Sequence, residues 1–129
     1  MAIIALEINA RQSLAGGRGF GVVGPYLQLD GSAHFAVDPG HPGNRCITDL
    51  DLAPRDSDDR VRFAADLRIL TPEDQQRTNR RLLFDVVNRG NRLALAMFNR
   101  VPRPITPSVP LDCGDGFLMR HDIVARIGR

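Results

Sequence analysis

The chain has 129 residues, a mass of 14.2 kDa and a formal net charge of only +2, a length that allows one ordinary domain around one core. Apolar residues make up 43% and charged residues 25%, a globular rather than a disordered composition. All 17 basic residues are Arg, which excludes Schiff-base and lysine-nucleophile chemistry. Their balance by 15 acids, with no Arg cluster beside an aromatic platform, argues against a nucleic-acid partner.

In chain order, the apolar run Ile3 to Ile8 predicts a first strand, and Gly16-Gly17-Arg18-Gly19 a flexible joint after it. Tyr26 to Leu29 and Ser32 to Val37 flank Asp30-Gly31, a pattern that predicts a β-hairpin turning at Asp30-Gly31. Asp38 to Asn44 reads as a dense loop, and Ile47 to Leu52 as a short edge strand. Val61, Phe63, Ala65, Leu67 and Ile69 alternate with Arg62, Ala64, Asp66 and Arg68, the period of a strand with one wet face.

Thr71-Pro72-Glu73-Asp74 predicts a cap and a helical turn. Leu82 to Val87 lacks alternation and reads as a strand covered on both sides. Leu93 to Phe98 predicts a short helix. Val101 to Pro110, with four prolines, reads as extended loop. Asp112 to Gly116 reads as a turn, Phe117 to His121 as one helical turn, and Ile123 to Ile127 as a last strand.

Cys46 and Cys113 lie far apart without Cys-x-x-Cys spacing, which reads as two buried thiols in a reducing compartment. Met1 to Leu6 is apolar, but Glu7 interrupts it and no basic region precedes it. No segment reaches transmembrane length. These features predict a cytoplasmic protein without a membrane partner.

Several residues then fall into a familiar order. Gly24-x-Tyr26, Asp38-Pro39 followed by Asn44 and Asp49, Pro72, the Asn88-Arg89-Gly90 turn, and Gly116-Phe117-Leu118-Met119 together resemble the bacterial α/β-hydrolase domain family. The likeness runs from about Gly19 to about Arg120. It implies an α/β, β-rich fold. Residues 1–70 would form a β-rich lead-in, and residues 71–129 the start of an incomplete hydrolase sheet, within one domain spanning 1–129. It also implies that full-length relatives hydrolyse ester or related acyl bonds of small-molecule substrates by a Ser-His-acid mechanism, with no cofactor and no metal.

On that reading Asn88, Arg89, Gly90 and Asn91 supply an oxyanion loop; the plainer reading is a tight turn with Gly90 at positive φ. Such a fold needs a Gly-x-Ser-x-Gly elbow. Ser13, Ser32, Ser57 and Ser108 lack the flanking glycines, and neither Cys46 nor Cys113 sits in an equivalent turn. The chain therefore reads as an N-terminal fragment, inactive alone.

The alternative is a stand-alone, non-enzymatic β-rich binding module. His34, Asp38 and His41 invite a metal reading, but Asp38-Pro39-Gly40 is also ordinary turn chemistry. His121-Asp122 suggests a base and its orienter, yet neighbours on one strand would face opposite ways. The sequence sets no oligomeric state.

Overall fold

The computed structural model describes residues 2–87, 93–101 and 113–128. Five strands form one sheet: β1 (Ala2–Ser13), β2 (Tyr26–Val37), β3 (Val61–Pro72), β4 (Leu82–Asp85) and β5 (Val124–Gly128), in the order β1-β2-β3-β5-β4. β1, β2 and β3 run antiparallel over 12 residues each. β5 adds antiparallel to β3, and β4 adds parallel to β5.

The described helices are α1 (Ala94–Phe98) and α2 (Phe117–Arg120), of five and four residues, with a few 3-10 turns. This corrects the expected α/β class. Among the described residues long antiparallel ladders dominate and helices are few, a β-rich arrangement without the strand–helix alternation of a hydrolase sheet.

The expected hairpin at Asp30-Gly31 is also corrected, because β2 runs straight through it and pairs with β3 from Tyr26–Pro72 to Val37–Val61. Gly31 serves a different purpose. A Cβ built there would stand 1.9 Å from the Glu7 carbonyl oxygen. The register of β1 shifts nearby, between Ile8 and Ala10, and such a bulge brings two backbones together where only glycine fits.

The predicted strand at Ile47 to Leu52 is instead a series of turns ending in the 3-10 turn Leu50–Leu52. The helical turn after Thr71 starts later than predicted. β3 continues to Pro72, and the Asp74 carboxylate accepts the Gln76 amide to open the turn Gln75–Arg77. Of the proline run, residues 102–110 lie outside the described residues.

Directly paired residues share a face, so the register separates two surfaces. The first carries Glu7 beside His34 (3.4 Å), Ser32 beside Asp66 (3.3 Å) and Asp30 beside Arg68 (3.0 Å). At its other end this face turns apolar. Tyr26 and Leu70 join Leu14, Phe20, Leu118 and Met119 in the core, with Leu83 and Val87 packed against it. The Phe20 and Tyr26 rings meet edge to face at 5.8 Å.

The second face is apolar and open over part of its area, while Leu27, Ala33, Val37, Val61 and Leu67 on it are buried. Ile3, Leu6 and Ile8 on β1 share it with Phe35 and Phe63, which stack at 4.8 Å, and with Leu29 and Ile69. The parallel register places Leu82 and Phe84 of β4 on the same side as residues 124 and 126 of β5, which continue it from β3. Leu82 to Val87 was expected to be covered on both sides. Leu82, Phe84 and Val86 are exposed, whereas Leu83, Asp85 and Val87 are half-buried. The segment forms an edge strand whose inner side alone meets the core.

Tyr26 is fully buried. Burial, with the Asp122 charge adding to it, pushes its hydroxyl far above the usual tyrosine range. Its unfolded counterpart ionises near pH 10. The neutral form is therefore favoured on folding, an advantage fully present below about pH 10 and lost as pH rises beyond it. Tyr26 is the chain's single tyrosine, so tyrosinate absorbance reports it alone. We predict that the absorbance appears only together with unfolding, and that Tyr26→Phe removes this part of the alkaline loss of stability. Ionisation near pH 10 in the folded protein would refute the prediction.

Among the described residues no helix is long and apolar enough to cross a membrane.

Candidate functional site

The oxyanion-loop candidates Asn88, Arg89, Gly90 and Asn91 lie outside the described residues. Their flanks are described. Upstream, β4 ends at Asp85, whose carboxylate accepts the amides of Leu93 (3.3 Å) and Ala94 (3.0 Å), at the start of α1. Asp85 thus ties the strand that enters the segment to the helix that leaves it.

The other sequence candidates are dispersed. The Asp38 carboxylate accepts the Gly40 amide (2.8 Å), and the Asn44 side-chain Nδ2 donates to the Asp38 carbonyl (2.7 Å). His41 Nδ1 accepts from the Gly43 amide (3.0 Å), and His34 faces Glu7 from β2. Asp38 and His41 each organise their own turn, and among the described residues no three His, Cys, Asp or Glu side chains form a metal-binding group. Ser32 is hydrogen-bonded to Asp66, while Ser13 and Ser57 are exposed; Ser108 lies outside the described residues. Cys113 is buried, but Cys46 is exposed, contrary to the expectation of two buried thiols.

The structure brings a different set together. Asn79, Arg81, Phe117, Arg120, His121, Asp122 and Ile123 line a cleft of about 540 Å³. Its wall is α2 and the turn that closes it. Gly116 precedes α2 at φ 69°, and a Cβ there would press to 2.7 Å from the Phe20 ring. The Asp115 carboxylate accepts the Phe117 amide (3.0 Å). At the other end the Ile123 amide donates to the Leu118 carbonyl (3.1 Å) and the Asp122 amide to the Met119 carbonyl (3.2 Å), with Asp122 at φ 58°. This pair of bonds around a left-handed residue is a Schellman closure, with Asp where Gly is usual; Asp tolerates that conformation better than most side chains.

The floor comes from residues 78–81. Asn79 Nδ2 donates to the His121 carbonyl (2.6 Å), Asn79 Oδ1 accepts the Arg81 amide (2.8 Å), and the Val124 amide donates to the Arg81 carbonyl (3.1 Å). Asn79 therefore fixes Arg81 against the turn that carries His121.

His121 and Asp122 were discounted as neighbours on a strand. They occupy a turn and line one cleft, so the alternation argument does not apply to them. The His121 ring lies 4.5 Å from that of Phe117, one helical turn earlier. Arg55, Arg62, Arg68 and Arg77 each face an Asp; the Arg81 and Arg120 guanidinium groups, like those of Arg11, Arg45, Arg60 and Arg80, have no ion-pair partner among the described residues, and these two line the same cleft. Asp122 Oδ1 is buried, without a hydrogen-bond partner among the described residues, and its charge acts on Tyr26 beneath the cleft.

Sequence reasoning missed Asn79 and Arg120 altogether. Arg81 stands next to Arg80 in the sequence, and nothing local marked it as a partner of a turn some 40 residues away.

No family model, curated protein or solved structure matches the chain. The hydrolase resemblance therefore stands on its motifs alone, without support from any homologue.

Proposed function

We propose that this chain is a β-rich binding module, without catalytic activity of its own, whose cleft takes a small organic anion. The observation that carries the reading is the pair of guanidinium groups, Arg81 and Arg120, unpaired among the described residues and lining one cleft with His121 and Asn79. Arg presents a planar fork of donors suited to carboxylate and phosphate, and a phosphate or carboxylate group would supply the charge that these side chains lack. Phe117 adds an apolar wall, 41% exposed, for the body of the ligand. The reading accords with a cytoplasmic setting, in which Cys46 and Cys113 remain thiols.

Titration with phenyl phosphate, followed by amide and His121 ring NMR shifts, tests this. Saturable shifts confined to the cleft are expected, with a dissociation constant on the order of 1 mM. The double substitution Arg81→Gln with Arg120→Gln should weaken binding roughly tenfold or more. Absence of saturation, or equal binding by the double variant, would overturn the assignment. An acyl-hydrolase reading makes the opposite prediction in a second assay. Turnover of a p-nitrophenyl ester, abolished by a serine-directed phosphonate, would replace the binding module with an enzyme.

A further inference from the structure

The open face of the sheet points to a second copy of the chain. A sheet with one apolar face is stable when that face is buried against another layer. Here the described helices contribute Leu95, Leu118 and Met119 to the core beneath Tyr26 and Leu70, on the other side. Ile3, Leu6, Ile8, Phe63, Leu82 and Phe84, all on the open face, are each 43–60% exposed. Half-clear side chains of this size present roughly 100 Å² each. With the half-buried Leu29, Phe35 and Ile69 between them, the face offers on the order of 800 Å² per copy, the share that one partner contributes to a standard stable interface.

We infer that two copies pack these faces together as a β-sandwich homodimer, independently of the cleft and its ligand. Three features favour a second copy over an unlike partner. The face is nearly all apolar: the register places two charges on it, Arg11 at the margin and Arg126 of β5 between Ile69 and Phe84. Apolar surface thus meets apolar surface under a twofold axis. The net charge of +2 sets little repulsion between copies. The stacked Phe35–Phe63 pair sits on the middle strands, where an aromatic anchor is most effectively shielded from water. Sheets packed this way lie about 10 Å apart.

Sedimentation velocity on the full chain from 1 to about 100 µM (a range spanning common interface affinities) is the test, repeated on Phe63→Glu and, separately, Phe84→Glu. Both positions are already exposed to solvent, and circular dichroism checks that each variant folds. Phe63 lies on a central strand, out of reach of edge-to-edge pairing through β1 or β4. The expected result is a wild-type dimer with a dissociation constant in the micromolar range, weakened roughly a hundredfold or more in each folded variant by a carboxylate placed in the interface. A wild type monomeric throughout the range would overturn the inference and leave the face to another partner. Dimers that persist in both variants would overturn it in favour of edge pairing.

Discussion

Replacing Gly31 by alanine lowers the unfolding free energy by about 3 kcal/mol, the upper end of what overpacking usually costs. The methyl carbon would stand 1.9 Å from the Glu7 carbonyl oxygen, 3.0 Å from its carbon and 3.1 Å from Ile8 Cα. All three are backbone atoms, so no side chain can swing away. Relief requires β1 to leave β2 around the Glu7–Ser32 and Ile8–Gly31 pairs, which surrenders ladder hydrogen bonds on both sides of the clash. Urea denaturation of the variant should show a lower midpoint, with valine worse than alanine. Ser32→Ala, one residue away and part-exposed, should change stability by about 0.5 kcal/mol or less. If Gly31→Ala is as stable as the parent, β1 does not approach β2 this closely.

The second large effect is expected at Asn99, which is fully buried. Its Oδ1 accepts the Leu118 amide (3.0 Å), and its Nδ2 donates to the Cys113 carbonyl (3.1 Å) and reaches Met119 Sδ (3.1 Å). Its own carbonyl accepts the Asp115 amide (3.0 Å). One side chain thus joins the end of α1 to both the turn before α2 and the first residues of α2. Asn99→Leu keeps the volume but leaves a buried N–H and a buried C=O unpaired, at about 1–3 kcal/mol each. The expected loss is about 3 kcal/mol in thermal or urea denaturation. Because α2 carries Phe117 and Arg120, anion binding should weaken even under conditions where the variant remains folded. A variant that is destabilised yet binds normally would show that the cleft does not depend on this anchor.

Much of the strand content was legible. The alternation from Val61 to Ile69 marks β3, because period two is imposed by the pleat itself. The open apolar surface includes Phe63 and Ile69 on the side that pattern assigned as apolar. The turn chemistry of Asp38 is equally local, with the carboxylate and the Gly40 amide two residues apart.

Asp30-Gly31 misled for a physical reason. Glycine is required both where a chain turns and where another backbone comes close, and only the position of Glu7, more than 20 residues earlier, distinguishes the two. Leu82 to Val87 misled in a similar way. An unbroken apolar run fits a strand buried on both faces, but β4 pairs with β5 at the sheet edge and only its inner side meets the core.

The cleft was the least legible part. Asn79 and His121 are 42 positions apart, and the left-handed turn at Asp122 depends on how α2 ends. Asn88 to Asn91 drew attention because a strand followed by Asn-Arg-Gly is a local pattern. Arg81 and Arg120 drew none as a pair, because neither has a neighbour in sequence that reveals the other.

By itself the sequence determined the alternation that marks β3, the local turn at Asp38 and what chemistry lysine's absence removes, since these follow from covalent neighbours a few residues apart. Strand order, the face left open and the meeting of Arg81, Arg120 and His121 were decided by tertiary structure alone. They depend on which distant segments pair once the apolar residues leave water, a competition among whole-chain arrangements that no local window contains.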